Sequence, residues 1–261
     1  IGIAYKTIAE VRSFTTQDVR LNPKVYITDS GKEGEFVYDS TDTTSADNIG
    51  TILVTTTGGF RYKRKYNGEI NVKWFGAIAD DSTNNLTAFT NALAVVERGT
   101  LLIPAGVYKI NGTLAITKNA ANDATQSNFT INAYGAKITT TNASSTPVLS
   151  VVGSKRLNIR GLEVDGTTSV EGMWWSSFEQ CKFQLVTFNK VNSGAFDECY
   201  WNSFKECQFT YIEVYSGTSG DLTEFNANSF YQCLFRDATH LIKLYGTENI
   251  QNLTFYSCDF S

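Results

Sequence analysis

Ser176-Ser177-Phe178-Glu179-Gln180-Cys181-Lys182-Phe183 is followed by Asn202-Ser203-Phe204-Lys205-Glu206-Cys207-Gln208-Phe209. Asn228-Ser229-Phe230-Tyr231-Gln232-Cys233-Leu234-Phe235 and Leu253-Thr254-Phe255-Tyr256-Ser257-Cys258-Asp259-Phe260 complete the series. Each copy carries Phe, Cys and Phe at fixed offsets, and the cysteines recur every 25 or 26 residues. A period of that length, rich in Phe, Thr and Asn and poor in helix formers, predicts a solenoid of strands in which like residues stack coil upon coil. Ile159-Arg160-Gly161-Leu162-Glu163-Val164 fits the same frame, so coiling is expected to begin before residue 160.

Composition narrows the classes. The chain has 261 residues, 42% apolar and 13% aromatic, which supports a folded core. Charge is sparse at 18% with a net of -4, so no basic stripe exists to track a nucleic-acid backbone. No apolar run is long enough for membrane insertion by a helix. The four repeat cysteines form one column, and stacked parallel side chains are poorly aimed for bridging, so they read as a buried ladder of free thiols. With no Cys-x-x-Cys pair and His240 as the only histidine, no metal site and no cofactor are expected.

Upstream the texture changes. Val25-Tyr26-Ile27, Glu35-Phe36-Val37-Tyr38, Ile52-Leu53-Val54 and Phe60 to Tyr66 read as short strands separated by Gly-rich turns, and Thr7 to Arg20 as a short helix. Arg61, Lys63, Arg64 and Lys65 read as one solvated face. Asn84 to Arg98 is the clear helix, with Leu86, Phe89, Ala92, Leu93 and Val96 on one side. Ser82, Thr83 or Asn84 would cap its start, and Gly99 would end it.

Val72-Lys73-Trp74-Phe75-Gly76-Ala77, then Asp80-Asp81-Ser82-Thr83, the helix, and Leu102-Ile103-Pro104-Ala105-Gly106-Val107-Tyr108 resemble the entry segment of pectate-lyase-superfamily parallel β-helices. The acids there shape a turn and cap the helix. The stretch from Gly31 to Asn71, with Phe36-Val37-Tyr38-Asp39-Ser40-Thr41, is similar to the module that precedes such β-helices in bacteriophage tailspikes. The resemblance implies a mostly β protein: a right-handed single-stranded parallel β-helix with an N-terminal capping helix, preceded by a small β-rich (α+β) module. The expected division is 1–70 for the virion-attachment module, 71–99 for the entry segment and cap, and 100–261 for the coils. A solenoid needs a cover on its last coil, and none follows Phe260, so the chain is expected to be the N-terminal part of a longer protein.

The resemblance also implies a function. Such proteins are homotrimers in the virion tail, assembled in the host cytoplasm, that dock on a phage tail or baseplate protein. Their β-helices bind, and often degrade, bacterial surface polysaccharide (capsule or O-antigen) as hydrolases or lyases. The alternative is a non-enzymatic adhesin or structural tail protein on the same scaffold. Aligning the repeats puts Glu198 and Glu224 one coil apart, about 4.8 Å between backbones. Two close carboxylates suit glycoside hydrolysis, so these are the candidate catalytic residues. Outward acids on a solenoid are, however, ordinarily solubilising. Trp174, Trp175, Tyr200 and Trp201 are the candidate substrate-binding residues, offering flat faces to sugar rings. Asn202 and Asn228 read as an amide ladder that satisfies turn backbone.

Overall fold

The computed structural model describes residues 2–96, 99–117, 129–188, 199–215, 225–236, 242–245 and 252–261. The first unit is a five-stranded sheet. Ala4–Lys6 pairs in parallel with Lys24–Ile27, which continues antiparallel through Gly34–Asp39 and Arg61–Arg64 to Ile52–Val54. The segment read as one helix is two, Ile8–Arg12 and Thr16–Leu21. Thr7 and Thr15 each begin a capping box, with Glu10 and Asp18 as the reciprocal acids, and the second box interrupts the first helix. Val11, Val25, Ile27, Phe36, Leu53 and Tyr62 form this unit's core.

The solvated reading of the basic run needs correction. Tyr62 and Arg64 point inward, and Arg64 is only 5% exposed. Its Nε donates to the Gly50 carbonyl at 2.5 Å, Nη1 to Glu33 O at 2.7 Å and Nη2 to Lys32 O at 2.7 Å. The guanidinium lies over Phe36 at 4.6 Å and over Trp74 at 4.2 Å. Burial pushes its pKa down to about 10, which leaves it charged at neutral pH. A planar cation with several donors suits this place, where carbonyls converge between two rings. The stacking joins the first sheet to the entry segment. Phe75 adds to the joint, because its ring lies where a Cβ on Gly50 would stand, 2.4 Å away. Alternation did not reveal Arg64 as buried, since its partners are backbone carbonyls distant in sequence.

Val72–Phe75 is a single 3-10 turn ended by Gly76 in the left-handed region, φ 95°. Asp80 accepts from the Ser82 and Thr83 N–H groups at 2.9 and 2.8 Å, so it shapes the turn as expected. The acids do not cap the helix, which runs Leu86–Val95. Asn84 Oδ1 instead accepts from Leu86 N at 3.2 Å. Buried Asn85 binds Ile78 through both its amide oxygen and its amide nitrogen, 2.7 and 2.9 Å. Phe89, Ala92 and Leu93 close over the first coil, with Phe89 edge-on to Tyr108 at 5.4 Å. The helix thereby covers apolar side chains that would otherwise end the stack in water.

The second unit is the expected parallel β-helix. Among the described residues every pairing in its sheet is parallel, and successive coils repeat the same register. One side stacks Phe178, Phe204, Phe230 and Phe255 at 5.0, 4.8 and 5.0 Å between centroids. The next stacks Phe183, Phe209, Phe235 and Phe260 at 5.8, 5.4 and 4.8 Å. Each such pair adds about 0.5–1.5 kcal/mol beyond the burial of its area. The cysteines between these columns are free; Cys181, Cys207 and Cys233 are buried and Cys258 is half-buried. Among the described residues no helix is long and apolar enough to cross a membrane.

Corners are made by single left-handed residues. Gln180, Glu206, Gln232 and Ser257 form one corner column, with φ between 50° and 54°. Arg156, Trp175, Trp201, Ala227 and Asn252 form another, with φ between 48° and 57°. Corner N–H groups bond the next coil, as Trp175 N does to Tyr200 O at 3.1 Å and Glu206 N to Tyr231 O at 2.9 Å. Beside the second column runs the amide ladder. Asn202 donates to Met173 O at 2.8 Å and to Asn228 Oδ1 at 3.0 Å, and accepts from Ser176 N at 3.0 Å. Asn228 repeats the pattern one coil on, donating to Cys199 O at 2.9 Å.

Candidate functional site

Two surface features stand out. The first is the tryptophan corner. A bulky residue at positive φ is a backbone outlier, costing on the order of 1–2 kcal/mol. Trp175 (φ 48°) and Trp201 (φ 50°) both adopt it. They are 52% and 55% exposed, and their rings stack at 5.4 Å and 5°. The corner itself demands the left-handed residue, as Ala227 and Asn252 in the same column show. Large rings at this corner are therefore a further choice, beyond what the bend requires. The column continues from Trp201 to Ala227, which has no ring with which to extend the stack. Tyr200, half-buried, lies 5.4 Å from Trp201 between ring centroids. Trp174 differs from the other three: it is buried, with Lys155 Nζ 5.1 Å from its ring centre. The structure thus brings Trp175, Tyr200 and Trp201 together at the surface; Trp174 pairs in register with Tyr200, on the face opposite core Met173, but its ring is covered.

Glu198 and Glu224 lie outside the described residues. Their neighbours Cys199 and Phe225 pair in register, as the repeat alignment requires.

The second feature is a recess at a different corner, missed by the sequence reading. Three adjoining hollows of about 290, 360 and 320 Å³ share lining residues in series. The first and second share Asp165, Gln184 and Thr210; the second and third share Ser144, Thr167 and Leu185. Turn length explains the recess. Ile138 and Val164 are partners in one ladder, and Leu149 and Thr168 in the next. Between those ladders one coil carries the loop 139–148 where the following coil carries only 165–167. The coils after that turn on Gln184 and Thr210 alone, because Phe183 and Leu185 pair with Phe209 and Tyr211. The long loop overhangs the short corners.

That loop is held firmly. Asn142 Oδ1 accepts from Gly112 N at 2.9 Å and Asn142 Nδ2 donates to Gly112 O at 2.8 Å. Thr167 Oγ1 donates to Ser144 O at 2.7 Å, tying wall to floor. At one end, Lys137 Nζ meets Glu163 at 3.0 Å and Asp165 at 3.4 Å, and Lys182 meets Glu163 at 3.6 Å. The Lys137 ammonium holds the Glu163 carboxyl below the usual range, and Glu163 raises Lys137 in return, so both are charged at neutral pH. Glu171 and Glu213 border the other end.

Residues 4–67 match the family described as the phage tail protein small four-stranded beta-sheet domain. The fold of nearly the whole chain is shared with tailspike protein gp49 of Acinetobacter baumannii bacteriophage Fri1, described as a capsular polysaccharide depolymerase. The TM-score is 0.55 at 11% identity, over 98% of this chain and 62% of that one. ORF18 of Geobacillus virus E2 gives 0.50 at 18% identity, over 98% of this chain and 54% of that one. The chain therefore spans less than two thirds of either protein, and at these identities the likeness is one of fold. What is shared is the fold: a small sheet that matches the phage-tail family model, followed by a parallel β-helix.

Proposed function

We propose that this chain is part of a phage tail spike that binds, and degrades, a bacterial surface polysaccharide. The observation that carries the reading is the order of its parts, a phage-tail sheet module at residues 4–67 running directly into a tailspike-type β-helix. In this reading residues 1–70 attach to a tail or baseplate protein, 71–99 start and cap the solenoid, and 100–261 present the glycan-binding coils of a homotrimer in the virion tail. Support for the adaptor role comes from the Arg64 joint, which fixes the first sheet against the entry segment. Trp175, Trp201 and Tyr200 contact sugar rings, with the side of Trp201 away from Trp175 as the stacking face; Trp174, one coil from Tyr200 on the same face, backs them. Glu198 and Glu224 serve as the carboxylate pair.

Reducing-end release from purified capsular and O-antigen polysaccharides tests this, using the protein beside a Glu198→Gln/Glu224→Gln double variant. Release that disappears in the double variant is the expected result. Unchanged release in the variant would remove those two residues from the reaction. Binding without release would leave host attachment alone, and no binding to any polysaccharide would sink the reading.

A further inference from the structure

The recess between the loop 139–148 and the corners at Asp165, Gln184 and Thr210 has a chemistry of its own. Its middle is lined by hydroxyls and amides: Thr140, Asn142, Thr146, Gln184 and Thr210, with Tyr211 beside them. Each hollow is near the lower end of the range for small-molecule sites, about 300–1,000 Å³. Because they adjoin in series, together they form a trough that follows the coil from Glu163 around the corner to Glu171. That path is on the order of 25 Å at about 3.3 Å per residue. A trough that long fits a chain better than a single small molecule. Its wall is preorganised by the Asn142 and Thr167 bonds, so binding need not order it first.

Charge selects among chains. Lys137 and Lys182 are matched by Glu163 and Asp165. At the far end stand Glu171 and Glu213, with Lys243 in register beside Glu213 on the next coil. Carboxylates here are at least as numerous as ammoniums. A polyanion would find no surplus positive charge, whereas sugar hydroxyls would meet hydroxyl, amide and carboxylate partners along the whole trough.

We infer that this recess is a polysaccharide-binding site separate from the tryptophan corner, and that it takes a segment of neutral sugars rather than a run of acidic ones. The inference rests on the polysaccharide reading above. Gln184 and Thr210 are exposed single-residue corners, so changing them spares the core.

The test is binding by the protein and its Gln184→Ala, Thr210→Trp, Trp201→Ala and Lys205→Ala variants to two arms of purified polysaccharide. One arm holds neutral-sugar O-antigens and capsules; the other holds polyuronates such as alginate and polygalacturonate. Unfolding curves accompany each variant. The expected result is binding confined to the neutral arm, weakened about tenfold or more by Thr210→Trp and measurably by Gln184→Ala, and unchanged by Lys205→Ala. That binding should change little between low and high salt, since screening acts on charge. Binding that every recess variant retains while Trp201→Ala loses it would overturn the recess and leave the polysaccharide reading intact. Salt-sensitive binding to the acidic arm would overturn the neutral class. Silence on both arms would overturn the inference together with the reading on which it rests.

Discussion

Replacing Asn202 with leucine should cost more stability than its surface-lying corner suggests. The side chain is 1% exposed and serves three partners: Ser176 N–H, Met173 C=O and Asn228 Oδ1. Leucine has the same branching, with a somewhat larger side chain, but leaves the first two without that partner in a dry site. Asn228 Oδ1 keeps its bond from the Asn202 backbone N–H at 3.1 Å. Each orphaned buried group costs about 1–3 kcal/mol, so Asn202→Leu should lose about 2–6 kcal/mol. The ladder supplies its own control. One coil earlier the column holds Ser176, whose hydroxyl accepts from Leu157 N at 3.0 Å and donates to Trp174 O at 3.0 Å. A serine at 202 would keep Ser176 N–H satisfied and orphan only Met173 C=O, so Asn202→Ser should lose about half as much. Urea unfolding followed by far-UV circular dichroism measures both, with unfolding rates substituted if refolding fails. Equal stability of the leucine and serine variants, within 0.5 kcal/mol by the order of the assay's precision, would refute the assignment of these bonds as the ladder's contribution.

Three further outcomes follow from the geometry. Arg64→Lys keeps the charge but cannot serve three carbonyls and two rings with one ammonium, so it should destabilise the joint by about 2–4 kcal/mol; the fluorescence of Trp74 against urea reads it. Asp47 is partly buried, which alone would raise its pKa. The Arg12 guanidinium and the Val54 and Ile49 N–H groups outweigh that and hold it below the usual range. A depressed carboxyl stabilises the fold above its unfolded value of about 4 and loses that contribution as the pH falls further. Asp47→Asn should therefore be less stable at pH 7 and flatter than the parent below about pH 4, as thermal melts across pH would show. Finally, a thiol-reactive dye should label Cys258 well before Cys181, Cys199, Cys207 and Cys233, which are buried. Burial also pushes the Cys199 thiol up to about 11, further from the reactive thiolate. Peptide mapping after timed labelling gives the order, and simultaneous labelling of all five would contradict the stacked core.

The repeated half of the fold was legible because stacking makes residue type a function of position. Phe204 and Phe230 face the core for the same reason, and Asn202 and Asn228 fill one slot with one set of bonds. Arg64 was not legible, because what buries it is a convergence of carbonyls from residues 32, 33 and 50 that no periodicity announces. Of the proposed sugar contacts, alignment put Trp174 and Trp175 side by side without telling which ring is open. Strand alternation puts Trp174 on the outer face, opposite core Met173, so its burial comes from what packs over it there, while Trp175 is exposed at the left-handed corner.

The recess is instructive for the opposite reason. Its signal was present as unequal spacing, 139–148 in one coil against 165–167 and then single residues in the next two. A search for what repeats discards such differences as noise. In a solenoid the repeat specifies only the scaffold, since every coil must meet the same neighbours above and below. A cavity can form only where one coil departs from the next, by an added loop or a shortened corner. The Ala227 that ends the tryptophan stack is a departure of the same kind, a missing ring where the column had supplied two. Sites on such proteins are therefore best sought by subtracting the repeat. Among the described residues of this chain, that subtraction points to the loop over Gln184 and Thr210 and to the side of Trp201 away from Trp175.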